Sequence, residues 1–448
     1  MIALPASSYA RAAPGPRVAS IAAALLLVAL GGLSFAHRPL PPSPTVRLTI
    51  TLNGGLGADA LAVDAPLGHV AVGDSLDGAV RLFDDRDGRL LHTIGLGAAV
   101  ASQALAVDTR VHHLFVAGQA ADGSGSHLWT LDTRTGALLQ ATRLAGVVAG
   151  IGVDEDAGWV VVADEEGARV ALLDTRTGRV QRSARIGRAP LATVVDGSGG
   201  RAYVVASGTY RAGYPAGEGA QGAVSVLDTR TGRIQGAIAV GALPGAIAVD
   251  NAAGLAVVAN GGEGTVSVLT ARGGVLRGVT VPVGVRPSAV AVDERTGRAY
   301  VVNAGDNTVS VLDIRRGAVV RTIRVSVSPR AIAIDNARGL VLVAADGPLD
   351  AQGYPVGPGV VDVLDASSGI VVRTIGVGVA PRAIAVDERG GRAIVVNSGG
   401  VVDTPSGWAT GWALRLRRWL PWAPVPPPDP PAGRAPASVT ILDLPSTR

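Results

Sequence analysis

The sequence predicts an all-β protein, an eight-bladed β-propeller of four-stranded antiparallel blades, and three observations carry that prediction. An apolar phrase ending in aspartate, of the type "AIAVD", recurs eight times, at Asp64, Asp108, Asp154, Asp196, Asp250, Asp293, Asp335 and Asp387. Successive spacings of 44, 46, 42, 54, 43, 42 and 52 residues lie in the range of a propeller blade. A second phrase, of the type "VLD", follows each time, at Asp84, Asp132, Asp174, Asp228, Asp313, Asp365 and Asp443, with Thr270 in the fifth unit. The third observation concerns the ends. The eighth unit lacks a fourth strand after "SVTILD", while "TVRLTITLN" (Thr45 to Asn53) resembles the fourth-strand text "VVRTIGVG".

One unit, residues 287 to 325, shows why four strands are expected. The runs Ala289 to Val292, Ala299 to Asn303, Thr308 to Asp313 and Val319 to Val325 are short and rich in Val and Ile. Gly, Asn and Asp turns separate them. In "LDTRTG", which begins at Leu131, Leu173 and Leu227, the Asp accepts turn amides and the Gly takes positive φ, which makes it the hairpin between third and fourth strands. "DDRDGR" (Asp84 to Arg89) also suggests a calcium loop, but it is too short for an EF-type ladder of oxygen ligands ending in Glu. In the first strand Ala faces one way and Ile the other, so a bulky face can pack on the small face of the next blade. Residues 45–53 are expected to complete the last blade, which removes the edges an open array would expose.

The phrases "AYVVNAGDNTVSVLD" (299–313), "AVVANGGEGTVSVLT" (256–270) and "RAYVVA" (201–206) resemble the YVTN-type (YncE-like) β-propeller repeat family. The resemblance spans about residues 45 to 444, with Val where the family has its third-position Thr. It implies the fold. Such repeats occur in surface-layer proteins, secreted binding proteins and the propellers of some redox enzymes and lactonases, and a fold does not fix a function.

Composition narrows the chemistry. The chain of 448 residues is 48% hydrophobic and 17% charged, and its 61 glycines suit a protein with a turn every few residues. All 40 basic residues are Arg and the net charge is only +4, which does not make a basic face for nucleic acid. Without Lys there is no Schiff-base chemistry. Cys is absent and Met stands only at position 1, which removes disulfides, haem attachment, copper thiolates and Met axial ligands. No cofactor or metal is expected. His69, His92, His112, His113 and His127 fall in the first two units, and the adjacent pair points to opposite faces of a strand, so surface or packing roles are expected. No G-x-S-x-G, H-E-x-x-H or Walker loop is present.

The domain plan follows. Residues 1–17 form a leading region with Arg11 and Arg17, 18–36 an uncharged apolar run, 37–44 a Pro-rich linker and 45–448 the propeller. The run reads equally as a signal peptide cleaved after Ala36 and as a membrane anchor, expected as an apolar helix outside the fold. Either way the arginines ahead of it place the propeller outside the cytoplasm.

The units differ mainly between second and third strands, on one face, called top here together with the loops that lead into each first strand. Units four, seven and eight carry insertions there, the last one spanning 398–436. Tyr214 and Tyr354 lie in two "GYP" loops, and Arg188, Arg286, Arg330 and Arg382 in lead-in loops, where convergence on the channel mouth would hold a carboxylate or phosphate. "GWATGWALRLRRWLPWAP" (407–424) reads as a short amphipathic helix. Trp408, Trp412, Leu416 and Trp419 share one arc of roughly 140° and Arg415 lies beside them. With Trp422 they suit a membrane interface, a protein partner, or a lid packed on its own propeller. The expectation is a non-catalytic extracytoplasmic module that binds an unidentified ligand or protein partner on the top face. The alternative is a lactonase-like enzyme or sensor of a small anion in the channel.

Overall fold

The computed structural model describes residues 44–52, 58–74, 77–96, 100–120, 125–187, 189–207, 210–211, 214–215, 221–272, 275–349, 353, 355, 357–399 and 435–445. It shows eight four-stranded antiparallel sheets and one two-stranded ribbon. The inner strands, which number blades 1 to 8, are Ala58–Asp64, Val100–Asp108, Val148–Asp154, Pro190–Asp196, Pro244–Asp250, Pro287–Asp293, Pro329–Asp335 and Pro381–Asp387. Each inner strand touches the next, and that of blade 8 returns to that of blade 1. In blade 6 the strands Pro287–Asp293, Arg298–Asn303, Thr308–Asp313 and Ala318–Arg324 match the four expected runs to within two residues.

Closure is as expected. Thr45–Thr51 is the outer strand of blade 8, paired antiparallel with Ser438–Asp443 from Thr45↔Asp443 to Thr51↔Ser438. Its Leu48 and Ile50 pack on a core of Ile394, Val439, Ile441 and, from blade 1, Val72 and Phe83. Fully burying one such aliphatic side chain stabilises by about 1.5–3 kcal/mol, and the partly buried Leu48 and Ile50 each contribute a share of that, so the seam is held by packing as well as by the ladder.

The core is divided among the junctions between blades. Second and third strands are buried along nearly their whole length, while outer strands alternate towards solvent. The inner strand splits its two faces between neighbours. In blade 7, Ile332 and Ile334 pack against the Tyr300–Val311 core shared with blade 6. Ala331 faces the Leu342–Val395 core shared with blade 8. Small on large is what brings sheets close at the axis. Blade 3 goes further with Gly150 and Gly152, where an added Cβ would lie 3.0 Å from Thr193 N and 3.0 Å from Val195 Cγ2 of blade 4.

Side chains finish the blades. Asn260, Asn303 and Asn397 end second strands, and each Nδ2 donates to two hydroxyls of the third strand, Thr308 and Ser310 at 2.9 Å in blade 6. The lead-in loop lies directly over this amide. A Cβ on Gly284 would come within 2.5 Å of Asn303 Nδ2, which accounts for Gly there.

The bottom face locks the blades to one another. Each inner strand ends in a buried Asp, and in blades 2 to 8 its side chain accepts amides of its own turn, as Asp293 does from Arg295 and Thr296 at 3.0 and 3.2 Å. Thr133 Oγ1 of blade 2 reaches back to Asp64 Oδ2 of blade 1 at 2.5 Å, and Thr229 of blade 4 to Asp154 of blade 3 at 2.5 Å. Glu155, Glu294 and Glu388 accept from Thr109, Asn251 and Asn336 of the blades before them, at 2.7–3.0 Å. The histidines join in: His69 donates to Thr133 O at 2.9 Å and His113 to Thr175 O at 2.8 Å. His112, at φ 58°, holds Asp64 at 2.9 Å from a turn position where other blades have Gly.

The repeated phrase is a turn. Gly136, Gly178 and Gly232 take φ of 69°, 62° and 69°. Burial, the largest single influence, pushes the carboxyls of Asp132, Asp174 and Asp228 up, but the amides of Thr135, Thr177 and Thr231 together with the neighbouring Arg amides and the other donors of the turn outweigh it and hold them below their ordinary value. "DDRDGR" is built the same way: Asp84 accepts from Arg86 N at 2.8 Å and Asp87 from Arg89 N at 2.9 Å, while Asp85 is wholly buried. Its carboxylates part company: Asp84 and Asp87 accept amides of the turn, and Asp85 pairs with Arg392 of blade 8.

Two outcomes follow. A chain beginning at residue 54 leaves blade 8 with three strands, and its melting temperature is expected to fall by roughly 10 °C or more; an unchanged melt refutes closure by Thr45–Thr51. The depressed hairpin carboxyls contribute stability above the unfolded value of about 4 and lose it as pH falls through the lower folded value. Asp174→Asn with Asp228→Asn should therefore lower the melt at pH 7 and bring a smaller further drop on acidification below about pH 4 than wild type shows. Parallel curves would exclude the amide contacts as the cause.

Candidate functional site

The top face is built by a lead-in loop of constant geometry. The residue before the inner-strand proline lies in the left-handed region in five blades: Ala189 (φ 51°), Leu243 (49°), Arg286 (50°), Ser328 (58°) and Ala380 (54°). None is Gly, and each such conformation costs about 1–2 kcal/mol. A backbone bond offsets it, because the carbonyl of that residue accepts from the first residue after the second strand: Ser207, Gly261, Ala304, Asp346 or Ser398, at 2.9–3.1 Å.

The inner strand then opens with a bulge. Register shifts between Pro329 and Ala331 and between Pro381 and Ala383, as at the corresponding place of the other blades, leave one residue without a cross-strand partner. A bulge re-aims a side chain at the rim of a sheet. In blades 4, 5 and 6 this residue is Leu191, Gly245 and Ser288, and in blades 7 and 8 it is Arg330 and Arg382.

Both arginines are anchored alike. Arg330 Nε donates to Asp346 Oδ2 at 2.7 Å, and Arg382 Nε to Ser398 Oγ at 3.3 Å, so in each blade the holder is the residue that also fixes the lead-in loop. A guanidinium held in a fixed direction presents the planar fork that takes carboxylate or phosphate. The Arg330 side chain stays 40% exposed. Asp346 is wholly buried; its Oδ2 also accepts from Ser328 Oγ at 2.9 Å, and its Oδ1 has no donor. A second buried carboxylate, Asp362, takes Ser326 N at 2.6 Å and Thr374 Oγ1 at 2.6 Å.

The other expected residues divide. Arg286 is exposed and left-handed, one residue ahead of its proline, so it does not share the bulge place of Arg330 and Arg382. Arg188 and Tyr354 lie outside the described residues, as do Trp408, Trp412, Arg415, Leu416, Trp419 and Trp422 and the apolar run 18–36. Tyr214 is described in its backbone, in the ribbon pairing Tyr210 with Pro215 and Arg211 with Tyr214. A bridge between Leu349 and Pro355 makes a comparable crossing around the other "GYP" loop. The large insertion leaves at Gly399 and returns at Ala435 on this face, where a Cβ on Gly399 would lie 2.6 Å from Ala435 O.

The rest of the surface offers less. Two open depressions of about 360 and 330 Å³ lie on the bottom face, one among the turns of blade 6 at Glu294, Thr296 and Arg316, the other between Trp159 and Arg230. Among the described residues no group of three or more His, Cys, Asp or Glu is arranged to hold a metal, and no helix is long and apolar enough to cross a membrane.

No family model matches the chain, and no curated protein matches it in sequence. Among solved structures the chain is similar to Kuenenia stuttgartiensis hydrazine synthase, with TM-score 0.51 and 12% identity over 66% of this chain and 94% of that one. At that identity the likeness is one of fold.

Proposed function

We propose that this chain is an extracytoplasmic propeller of the YVTN type, acting as a non-catalytic binding or scaffolding module whose top face takes a carboxylate- or phosphate-bearing ligand or partner. The observation that carries the reading is the equivalence of Arg330 and Arg382. Two neighbouring blades put Arg at the same bulge and tether it by the same nitrogen. A lone surface ion pair would carry little weight, whereas a repeated anchor at the mouth of a ring is a preorganised fork. The insertions of blades 4, 7 and 8 leave the same face and are the segments that vary most from blade to blade, as binding loops on a rigid scaffold do. The extracytoplasmic part rests on Arg11 and Arg17 ahead of the apolar run 18–36.

The test is calorimetric titration of the full chain with succinate, citrate and inorganic phosphate. One of them should bind, and Arg330→Ala with Arg382→Ala should weaken it by about tenfold or more with the melting temperature unchanged. Equal affinity in the double variant, or no binding of any of the three, rejects the site.

A further inference from the structure

The residue that follows the "VLD" phrase is buried in every blade and lies at the foot of the junction with the blade before it. It is Thr133, Thr175 and Thr229 in blades 2 to 4, and Ala271, Ile314, Ala366 and Leu444 in blades 5 to 8. Only blade 1 has a carboxylate, Asp85. In blades 2 and 4 the Thr donates to the inner-strand Asp of the preceding blade. Across the seam that closes the ring, the group in that place is Asp387, wholly buried like Asp85 and holding its turn through Arg389 N at 3.0 Å. A carboxylate therefore stands where a donor is needed. Arg392, at the start of the second strand of blade 8, pairs with Asp85 Oδ1, and Asp85 Oδ2 has no donor.

We propose that the seam between blades 8 and 1 is a proton-operated latch, in which protonated Asp85 donates to Asp387 as Thr133 and Thr229 do at their junctions, and deprotonation turns that bond into repulsion between two buried carboxylates. With the proton in place the cluster of Asp85, Asp387 and Arg392 is neutral; without it one buried negative charge is uncompensated. Among the described residues Arg392 is the cation that pairs with Asp85. The charges beyond it are engaged elsewhere. Arg47 of the outer strand of blade 8 bonds Arg86 O at 2.6 Å and Asp443 at 3.1 Å, and Arg338 of blade 7 bonds Glu388 O, Asp335 and Pro445 O at 2.7–3.0 Å. Glu388 accepts from Asn336.

Burial and the Asp387 contact push the Asp85 carboxyl from 3.8 up to about 6, against the pull of Arg392. The sign is opposite to that of the hairpin aspartates. Between those two values the folded chain holds a proton that the unfolded chain has released, so stability falls as pH rises through the window. The latch is closed in mild acid and weakened at neutrality.

The test is thermal melting of the full chain from pH 4.5 to 8. Wild type should lose roughly 2–5 °C between pH 5 and 7.5. Asp85→Thr, which installs the residue of blades 2 to 4, should be flat over that range and melt above wild type at pH 7.5. Arg392→Gln should keep the transition and move its midpoint to higher pH, because the lowering charge is gone, a displacement that lost packing alone would not produce. Parallel curves for wild type and Asp85→Thr, or an Asp85→Thr chain less stable than wild type at pH 7.5, would overturn the latch.

Discussion

Eight carboxylates buried at the feet of the inner strands are the groups whose solvation the rest of this ring depends on. A buried carboxylate without donors costs several kcal/mol, so each strand must end in a turn that offers amides and beside a blade that offers something more. The turn supplies the first need within a blade. The second is met by a neighbour at two junctions, through Thr133 at Asp64 and Thr229 at Asp154, and by an arginine of the same blade at Asp335 and Asp196, while Arg392 of blade 8 reaches across the seam to Asp85 of blade 1. Side-chain contacts of this kind join blades to their neighbours, where hydrogen-bonded ladders join strands only within each blade.

That division sets where variation is tolerated. Bottom-face turns are short and tied to their neighbours by side chains, so a change there disturbs a junction. Top-face connections rest on a backbone bond from the lead-in carbonyl, which is indifferent to side-chain identity: Ala, Leu, Arg and Ser all occupy the left-handed position. The scaffold leaves this face free to take insertions and to place Arg at chosen bulges. The arrangement resembles other folds in which rigid strands carry variable binding loops.

The architecture was legible because its determinants are local and repeated. The strand-ending Asp, the hairpin Gly and the Ala/Ile alternation each recur often enough to fix period, register and blade number, and the outer-strand likeness of Thr45–Thr51 revealed closure. The site was only half legible. Arg330 and Arg382 were legible as lead-in arginines along with Arg188 and Arg286, but the bulge that makes them equivalent, and excludes Arg286, depends on pairing across strands. The left-handed lead-in residues gave no signal, since none is Gly. "DDRDGR" drew attention as a possible cation loop, yet Asp85 answers to Asp387 on a blade some 300 positions away in sequence. Aligning the units would have exposed Asp where others have Thr or an apolar residue; only the fold shows which group it meets.

Closure by the outer strand also orders events in time. Thr45 pairs with Asp443, so the first strand of the propeller to be synthesised has no partner until nearly the last one exists. Seven blades draw all four strands from contiguous chain and can form in sequence. Meanwhile "TVRLTIT" waits as a β-prone segment with an open edge, the kind of stretch that seeds association between chains. Arg47 is its third residue. In the finished ring it bonds Arg86 O and Asp443 and stays 40% exposed, and a charge on an unpaired strand is one of the devices that discourage pairing with a wrong edge.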